Sequence, residues 1–284
     1  MTIEKLIAKV GELPTLPMVA ARITEEMQNE ALNAKSLGRI ISEDSSLTVK
    51  LLRLSNSAFY GMPKQISSIE KAVMILGFNT VKSLALSVSI YSFFKKGQNS
   101  SAIDVVGLWN HSLGCAVSAK LLMAKTSKRL ADDAFLYGII HDIGKVILIN
   151  GDPDGMKQML ALVKAKNISQ PEAELEFFGF DHQRVGELLL KEWKFPEGII
   201  AGVKLHHNLP PDAPKLDADT LQLIRVLGVA NQMAKALSLG HSTNPHRQKI
   251  PAVMWKFLNI DKVDLSRLSA EIKEEYGKLL EAWK

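Results

Sequence analysis

His141, Asp142 and Lys145 stand in the middle of LYGIIHDIGKVILI, the stretch from Leu136 to Ile149. At about 100° per helical residue, the three fall within one arc of a helix that is otherwise apolar all round. An imidazole, a carboxylate and an amine on one buried stripe can hold a cation or a phosphate. They can also simply satisfy one another, because Asp142 and Lys145 are three apart and suit a partly buried ion pair with His141 hydrogen-bonded nearby.

The other histidines weigh on that choice. His182 in DHQRVGELLLKEW shares a helical face with Val185, Gly186, Leu189 and Trp193. In IIAGVKLHH the arc of Ile199, Ile200 and Val203 also contains His206 and His207. His111 in WNHSLGCAVSAKLL lies above Cys115, Ser118 and Leu122. His241 and His246 lie in the loop LGHSTNPHRQKIP and read as solvated surface. One inward histidine is ordinarily a core residue hydrogen-bonded to a carbonyl. Five of them, on four helices, ask for a shared explanation, since each buried imidazole costs a few kcal/mol unless it finds partners. A common cation would satisfy several at once, and histidine with one carboxylate suits iron, zinc, nickel or manganese better than calcium or magnesium.

The elements that must position these residues are helices. Ser67 and Glu70 in SSIEKAVMILG have capping-box spacing, with Gly77 as a stop. Pro196 fits the first turn of PEGIIAGVKLHH, and Pro210 and Pro211 follow its end. No segment alternates as a strand would, so the expected fold is all-α, a helical bundle of two packed subdomains. The polar stretch KKGQNSSAID, Lys95 to Asp104, divides the chain. The expected units are residues 1–100, an N-terminal helical subdomain; 101–240, the histidine-bearing one; and 241–284, a C-terminal loop and helices.

Bulk properties fit such a chain. Its 284 residues are 46% hydrophobic, enough to bury a substantial core. The 35 basic and 30 acidic residues are interspersed, and a net charge of +5 is a mild pull toward anions rather than a nucleic-acid signature. One cysteine, Cys115, excludes an intramolecular disulfide. The N-terminus lacks a signal peptide's apolar core, and the apolar run SLALSVSIYSFF is short and flanked by Lys82 and Lys95. Cytoplasmic placement without a membrane is the expectation. Lys50, Arg53, Phe59 and Tyr60 place basic groups near aromatics, which could grip single-stranded nucleic acid; KLLRL equally reads as an amphipathic helix with its charges in solvent.

His141-Asp142-Ile143-Gly144-Lys145 resembles the HD-x-G-K core of the HD superfamily of metal-dependent phosphohydrolases, which includes the HD-GYP cyclic-di-GMP phosphodiesterases. His111, then His182, then His206 and His207 follow the order of that superfamily. The N-terminal half is similar, more narrowly, to the HDOD (HD-related output) domain: LPTLP at Leu13 to Pro17, EDSSLTVKLLRLSNSAFYG at Glu43 to Gly61, and the Ser67 to Gly77 helix. The resemblance runs from about residue 5 to about residue 240. It implies a bacterial, all-helical signalling domain whose second half is HD-like.

Two departures qualify what is carried over. Asn231, in LIRVLGVANQMAK, stands where HD enzymes carry a metal-binding aspartate, which leaves Asp142 the only carboxylate of the set. After His207 the sequence reads NLPPDAPKLD, without the Gly-Tyr-Pro segment of HD-GYP proteins, so cyclic-di-GMP is not carried over. The resemblance therefore implies a regulatory output domain that contacts signalling proteins. Its HD-like pocket would hold one or two divalent ions (Fe, Mn, Zn or Ni) on His111, His141, Asp142, His182, His206 and His207, with little or no hydrolase activity. The alternative is a metal-dependent phosphohydrolase acting on a nucleotide or phosphodiester, with Asp142 and Lys145 in catalysis. A nucleic-acid-binding regulator is the third reading.

Overall fold

The computed structural model describes residues 15–96, 103–209, 213 and 215–284. Among them there are helices and no strands, so the expected fold class is met. Leu13 and Pro14, most of the Lys95–Asp104 divide, and Pro210, Pro211, Asp212 and Pro214 lie outside the described residues.

The first helices are α1 (Met18–Gln28), α2 (Ala34–Ser42), α3 (Ser45–Ser55), α4 (Ile69–Leu76) and α5 (Phe78–Lys96). Short polar residues start several of them by satisfying exposed backbone N–H groups. Asn33 accepts from Ser36 N–H, and Asp44 accepts from Leu47 N–H. The cap of α4 is Ser68, which accepts from Lys71 N–H at 3.2 Å. That is one residue later than the Ser67–Glu70 spacing predicts, and Ile69 becomes the first helical residue that the core buries. Gly77 ends α4 as expected, with φ +92.

The histidine-bearing block is built on α6 (Val105–Thr126), α7 (Ala131–Ile140), α8 (Ile143–Gly151), α9 (Pro153–Lys166), α10 (Gln170–Phe178), α11 (His182–Glu192), α12 (Glu197–Leu205) and α13 (Ala218–Ala236). Helix α6 is buried nearly all round and packs against α7 and α13. The crossing with α7 is tight: a Cβ on Gly138 would sit 2.4 Å from the Ala116 Cα, so only glycine fits there. Helices α14 (Ala252–Leu258) and α15 (Lys262–Trp283) follow, and α15 returns against α6 and α3. There Trp283, Trp109 and Tyr91 pack with centroids 4.7–5.2 Å apart.

One continuous apolar cluster runs through both blocks. A polar seam also joins α5 to α6 and α7. Asp132 accepts from Thr80 and Lys120, both at 2.7 Å, and Asp133 accepts from Lys82 at 2.9 Å. The run Lys128–Gly151 has the length and mean hydropathy (1.2) of a membrane span, yet 89% of its most apolar window is buried inside the fold.

Candidate metal centre

The Leu136–Ile149 stretch is two helices rather than one. Helix α7 ends at Ile140, His141 caps it, and Asp142 leaves helical geometry (φ −99, ψ 14) before α8 begins. The single polar stripe expected from the sequence is corrected: His141 and Asp142 occupy the junction, and Lys145 follows within the first turn of α8. The other ends converge on the same point. His182 is the first residue of α11, and His206 caps the C-terminus of α12. Pro196 is the N-cap of α12, one place before the first-turn position expected of it.

Four helix ends thus meet, and Gly144 lets them. A Cβ at Gly144 would lie 1.9 Å from the His182 carbonyl oxygen, so α8 and α11 could not approach as they do. His141, Asp142, Lys145, His182 and His206 are fully buried, His111 is 1% exposed and His207 8%. Two groups of ligand atoms, each within 4.8 Å of one another, result: Asp142 with His182, His206 and His207, and Asp142 with His111 and His141. All six residues expected to hold a metal are brought together, with Asp142 common to both groups.

The hydrogen bonds fix which ring nitrogens face inward. Only an N–H can donate to a carbonyl oxygen, so His141 donates from Nδ1 to Gly138 O (2.8 Å) and His206 from Nδ1 to Val203 O (2.7 Å). His182 donates from Nδ1 to Glu174 Oε2 at 2.6 Å. In the neutral rings each Nε2 therefore carries a lone pair. Those lone pairs point at one another and at a carboxylate: His182 Nε2 lies 3.4 Å from His206 Nε2, and both lie 3.4 Å from Asp142 Oδ1. His141 Nε2 is 3.2 Å from Asp142 Oδ2. Neither His141 Nε2 nor Asp142 Oδ1 has a hydrogen-bond partner. His207 donates from Nε2 to His182 Nε2 at 3.1 Å.

Electron pairs converging in a buried space are repulsive unless a cation lies among them. The charge states follow the same logic. Burial pulls His141 down, but the Asp142 carboxylate and the Cys115 sulfur outweigh it and hold the imidazole up at about 10. Burial pushes Asp142 up, yet His141 and Lys145 hold it well below the usual carboxylate range. His182 is raised against burial by Glu174 and Asp142. Burial lowers His206 to about 3 and takes His111 and His207 well down. A proton on His141 is thus the positive charge the pocket takes in the absence of anything larger.

Lys145 is already engaged. It donates to Asp142 Oδ2 (2.8 Å) and to the Ser242 carbonyl (2.9 Å). Asn231 Oδ1 accepts from His111 Nε2 at 3.2 Å, and its Nδ2 has no partner. In that arrangement His111 carries its proton on Nε2, so coordination there requires breaking the bond to Asn231.

Sequence reasoning missed Glu174 and the loop after α13. Glu174 is fully buried; besides His182 Nδ1 it accepts the His182 backbone N–H (2.8 Å) and Gln170 Nε2 (2.7 Å). Gln170, Glu174 and Phe178 are four apart and share the buried face of α10, the one signal that could have drawn attention to them. His241 is exposed as expected, but Ser242, Thr243 and Asn244 beside it are buried against the site. Lys50 and Arg53 are exposed, whereas Phe59 and Tyr60 are partly covered and packed under Lys120.

Residues 13–209 match the HDOD domain family, and the chain belongs to it. An uncharacterised protein of Treponema pallidum is 26% identical over 264 residues, 93% of this chain and 49% of that protein. Protein YuxH of Bacillus subtilis is 31% identical over 125 residues, 44% of this chain and 30% of that one. The chain therefore spans half or less of these two relatives. Among solved structures, an HDOD protein from Geobacter sulfurreducens superposes with TM-score 0.79 at 24% identity over 99% of both chains. A Shewanella amazonensis protein named as a candidate phosphohydrolase gives 0.71 at 27% identity, covering 98% of this chain and 96% of that one. A Marinobacter aquaeolei protein named as a candidate signal transduction protein gives 0.74 at 19% identity, covering 98% of this chain and 64% of that one.

Proposed function

We propose that the chain is a regulatory signalling domain, acting by contact with other proteins. In this reading its histidine pocket holds one divalent transition ion and has little or no hydrolase activity. The observation that carries the metal is the pair of Nε2 atoms on His182 and His206, each 3.4 Å from an Asp142 Oδ1 that no hydrogen bond satisfies. Imidazole nitrogens with one carboxylate suit iron, manganese, zinc or nickel. His182, His206 and Asp142 would supply the core of the set, with His141, His207 and His111 at its edges. Glu174 would orient His182 and raise its basicity, as outer carboxylates do for ligating histidines.

Weak hydrolysis follows from charge. Asp142 is the one carboxylate among the ligand groups, and Asn231 adds no negative charge, so a second dication would be poorly neutralised. When bound, an ion there would supply Lewis acidity and an activated water. The chain's own contribution to phosphoryl transfer would be Lys145, which is committed to Asp142 and Ser242. The signalling reading rests on family membership, and the phosphohydrolase reading is kept alive by the Shewanella likeness.

The test is elemental analysis of the purified protein beside a His141→Ala, Asp142→Ala double variant, with turnover of an aryl phosphodiester measured on both. Near-stoichiometric metal lost in the variant, with negligible turnover by the wild type, is expected. Metal-free wild type would overturn the metal; fast turnover abolished by Asp142→Ala alone would make the protein a phosphohydrolase.

A further inference from the structure

A cavity of about 400 Å³ opens beside the histidine cluster, between the end of α13 and the loop that follows it. That volume lies within the range of small-molecule sites. His111 forms part of its wall, and Lys235, His241, Asn244 and Arg247 line the rest. Among the described residues no aspartate or glutamate lines it.

Its cations are unlike the others near the site. Lys145 is neutralised by Asp142. Lys235 is mostly shielded from solvent, and its one hydrogen bond goes to the His246 carbonyl at 3.3 Å. Among the described residues neither Lys235 nor Arg247 forms an ion pair, although twelve other lysine or arginine pairs with carboxylates are found. A shielded ammonium without a counter-charge costs free energy that a bound anion would return.

The walls are also built in advance. His241 N–H donates to Gly107 O (2.8 Å), Lys145 to Ser242 O (2.9 Å), Thr243 Oγ1 to Gln170 Oε1 (2.9 Å) and Gln248 N–H to Gln232 Oε1 (2.8 Å). Thr243 is held at φ +62, a conformation a threonine adopts only when its surroundings enforce it. A loop tied at four points to α6, α8, α10 and α13 keeps its shape without a ligand, which lowers the cost of binding one.

We propose that this cavity is an anion site for a small phosphorylated molecule, its phosphoryl group held by Lys235 and Arg247. The guanidinium offers a planar fork and the ammonium a point charge, a pair suited to a dianion. The remaining volume, lined by Asn244 and His241, takes a polar organic body. This deepens the pocket reading by naming what approaches it, yet neither cation belongs to the candidate metal set, so the site stands without the ion.

The experiment is calorimetric titration of the full chain with inorganic phosphate, and with acetate as control, at constant ionic strength. Wild type, wild type stripped of metal with a chelator, Arg247→Gln and Lys235→Gln are compared. Saturable phosphate binding is expected, at least tenfold tighter than acetate. It should weaken fivefold or more in Arg247→Gln and in Lys235→Gln, and stay within twofold in the chelator-stripped wild type. Arg247 is exposed, so its variant keeps the test valid if Lys235→Gln fails to fold. Equal binding of acetate, unchanged affinity in Arg247→Gln, or loss of binding in the chelator-stripped wild type would overturn the proposal. Failure of the metal reading shows separately, as metal-free wild type with phosphate binding intact.

Discussion

The polar seam between α5 and α7, which is half-buried, and the histidine pocket, which is buried, both set charge into an apolar fold, and they resolve it in opposite ways. At the seam every acid has a partner: Asp132 takes Thr80 and Lys120, and Asp133 takes Lys82. In the pocket, Asp142 Oδ1, His141 Nε2 and Asn231 Nδ2 have none. A closed account of donors and acceptors marks a structural joint. An open one marks a place that waits for something else.

The contrast is sharpened most by breaking the seam. Asp132→Ala leaves Lys120 without its carboxylate, while Thr80 keeps the Leu76 carbonyl as acceptor, and should cost about 2 kcal/mol of stability. Denaturant titration would measure that, with metal content per folded molecule unchanged. A loss of metal in that variant would mean that the two regions are one unit.

In the pocket, Glu174→Gln removes the charge behind His182 while keeping its shape. Metal affinity should fall by about 10- to 100-fold, as it does when outer-shell partners of ligating histidines are altered. Competition with a chelator of known affinity reads this out, and an unchanged value would make Glu174 a folding residue only. Asn231→Asp should act in the other direction, adding a carboxylate next to His111 and tightening binding by about tenfold. If affinity does not move, Asn231 lies outside the ligand set.

The last comparison concerns protons. His141 in the metal-free protein is raised to about 10, against about 6.5 for an unfolded histidine. A raised imidazole contributes stability that is full below about pH 6.5 and is lost as pH climbs through 10. Metal-free wild type should therefore lose stability across that window, and His141→Gln should lose less. Metal that takes the place of this proton should release close to one proton at pH 8. Calorimetry in buffers of different ionisation enthalpy counts it; zero release would mean His141 stays protonated beside the ion.

The helical class and the inward facing of five histidines were legible because both rest on periodicity; their convergence was not, since periodicity cannot place four helices around one point. Val185, Leu189 and His182 sit on one face of α11 in the chain as in the fold. The break at His141–Asp142 was not legible. Apolar residues flank it on both sides, and the nearby glycines, Gly138 and Gly144, lie within the helices rather than at the turn, so the pattern runs on. Glu174 was hidden among Glu172 and Glu176, which do face solvent, and only its four-residue spacing from Gln170 and Phe178 separates it from them. The loop after α13 was read as solvated because its composition is polar. In fact Ser242, Thr243 and Asn244 are buried there through hydrogen bonds with α8 and α10.

The meeting of four helix ends has a mechanical side. A residue on a helix face slides with its neighbours, whereas one at a helix tip moves with the tilt of the whole rod. His141, Asp142, His182 and His206 belong to α7, α8, α11 and α12 in turn, rods of 9–11 residues, of which α7 and α8 are largely buried while α11 and α12 also carry exposed residues. An ion joining them would act as a rivet at a shared hinge. Filling or emptying it would re-angle surfaces some 15 Å away, at about 1.5 Å of rod per residue, and pressure from a docked protein would be felt at the rivet in return.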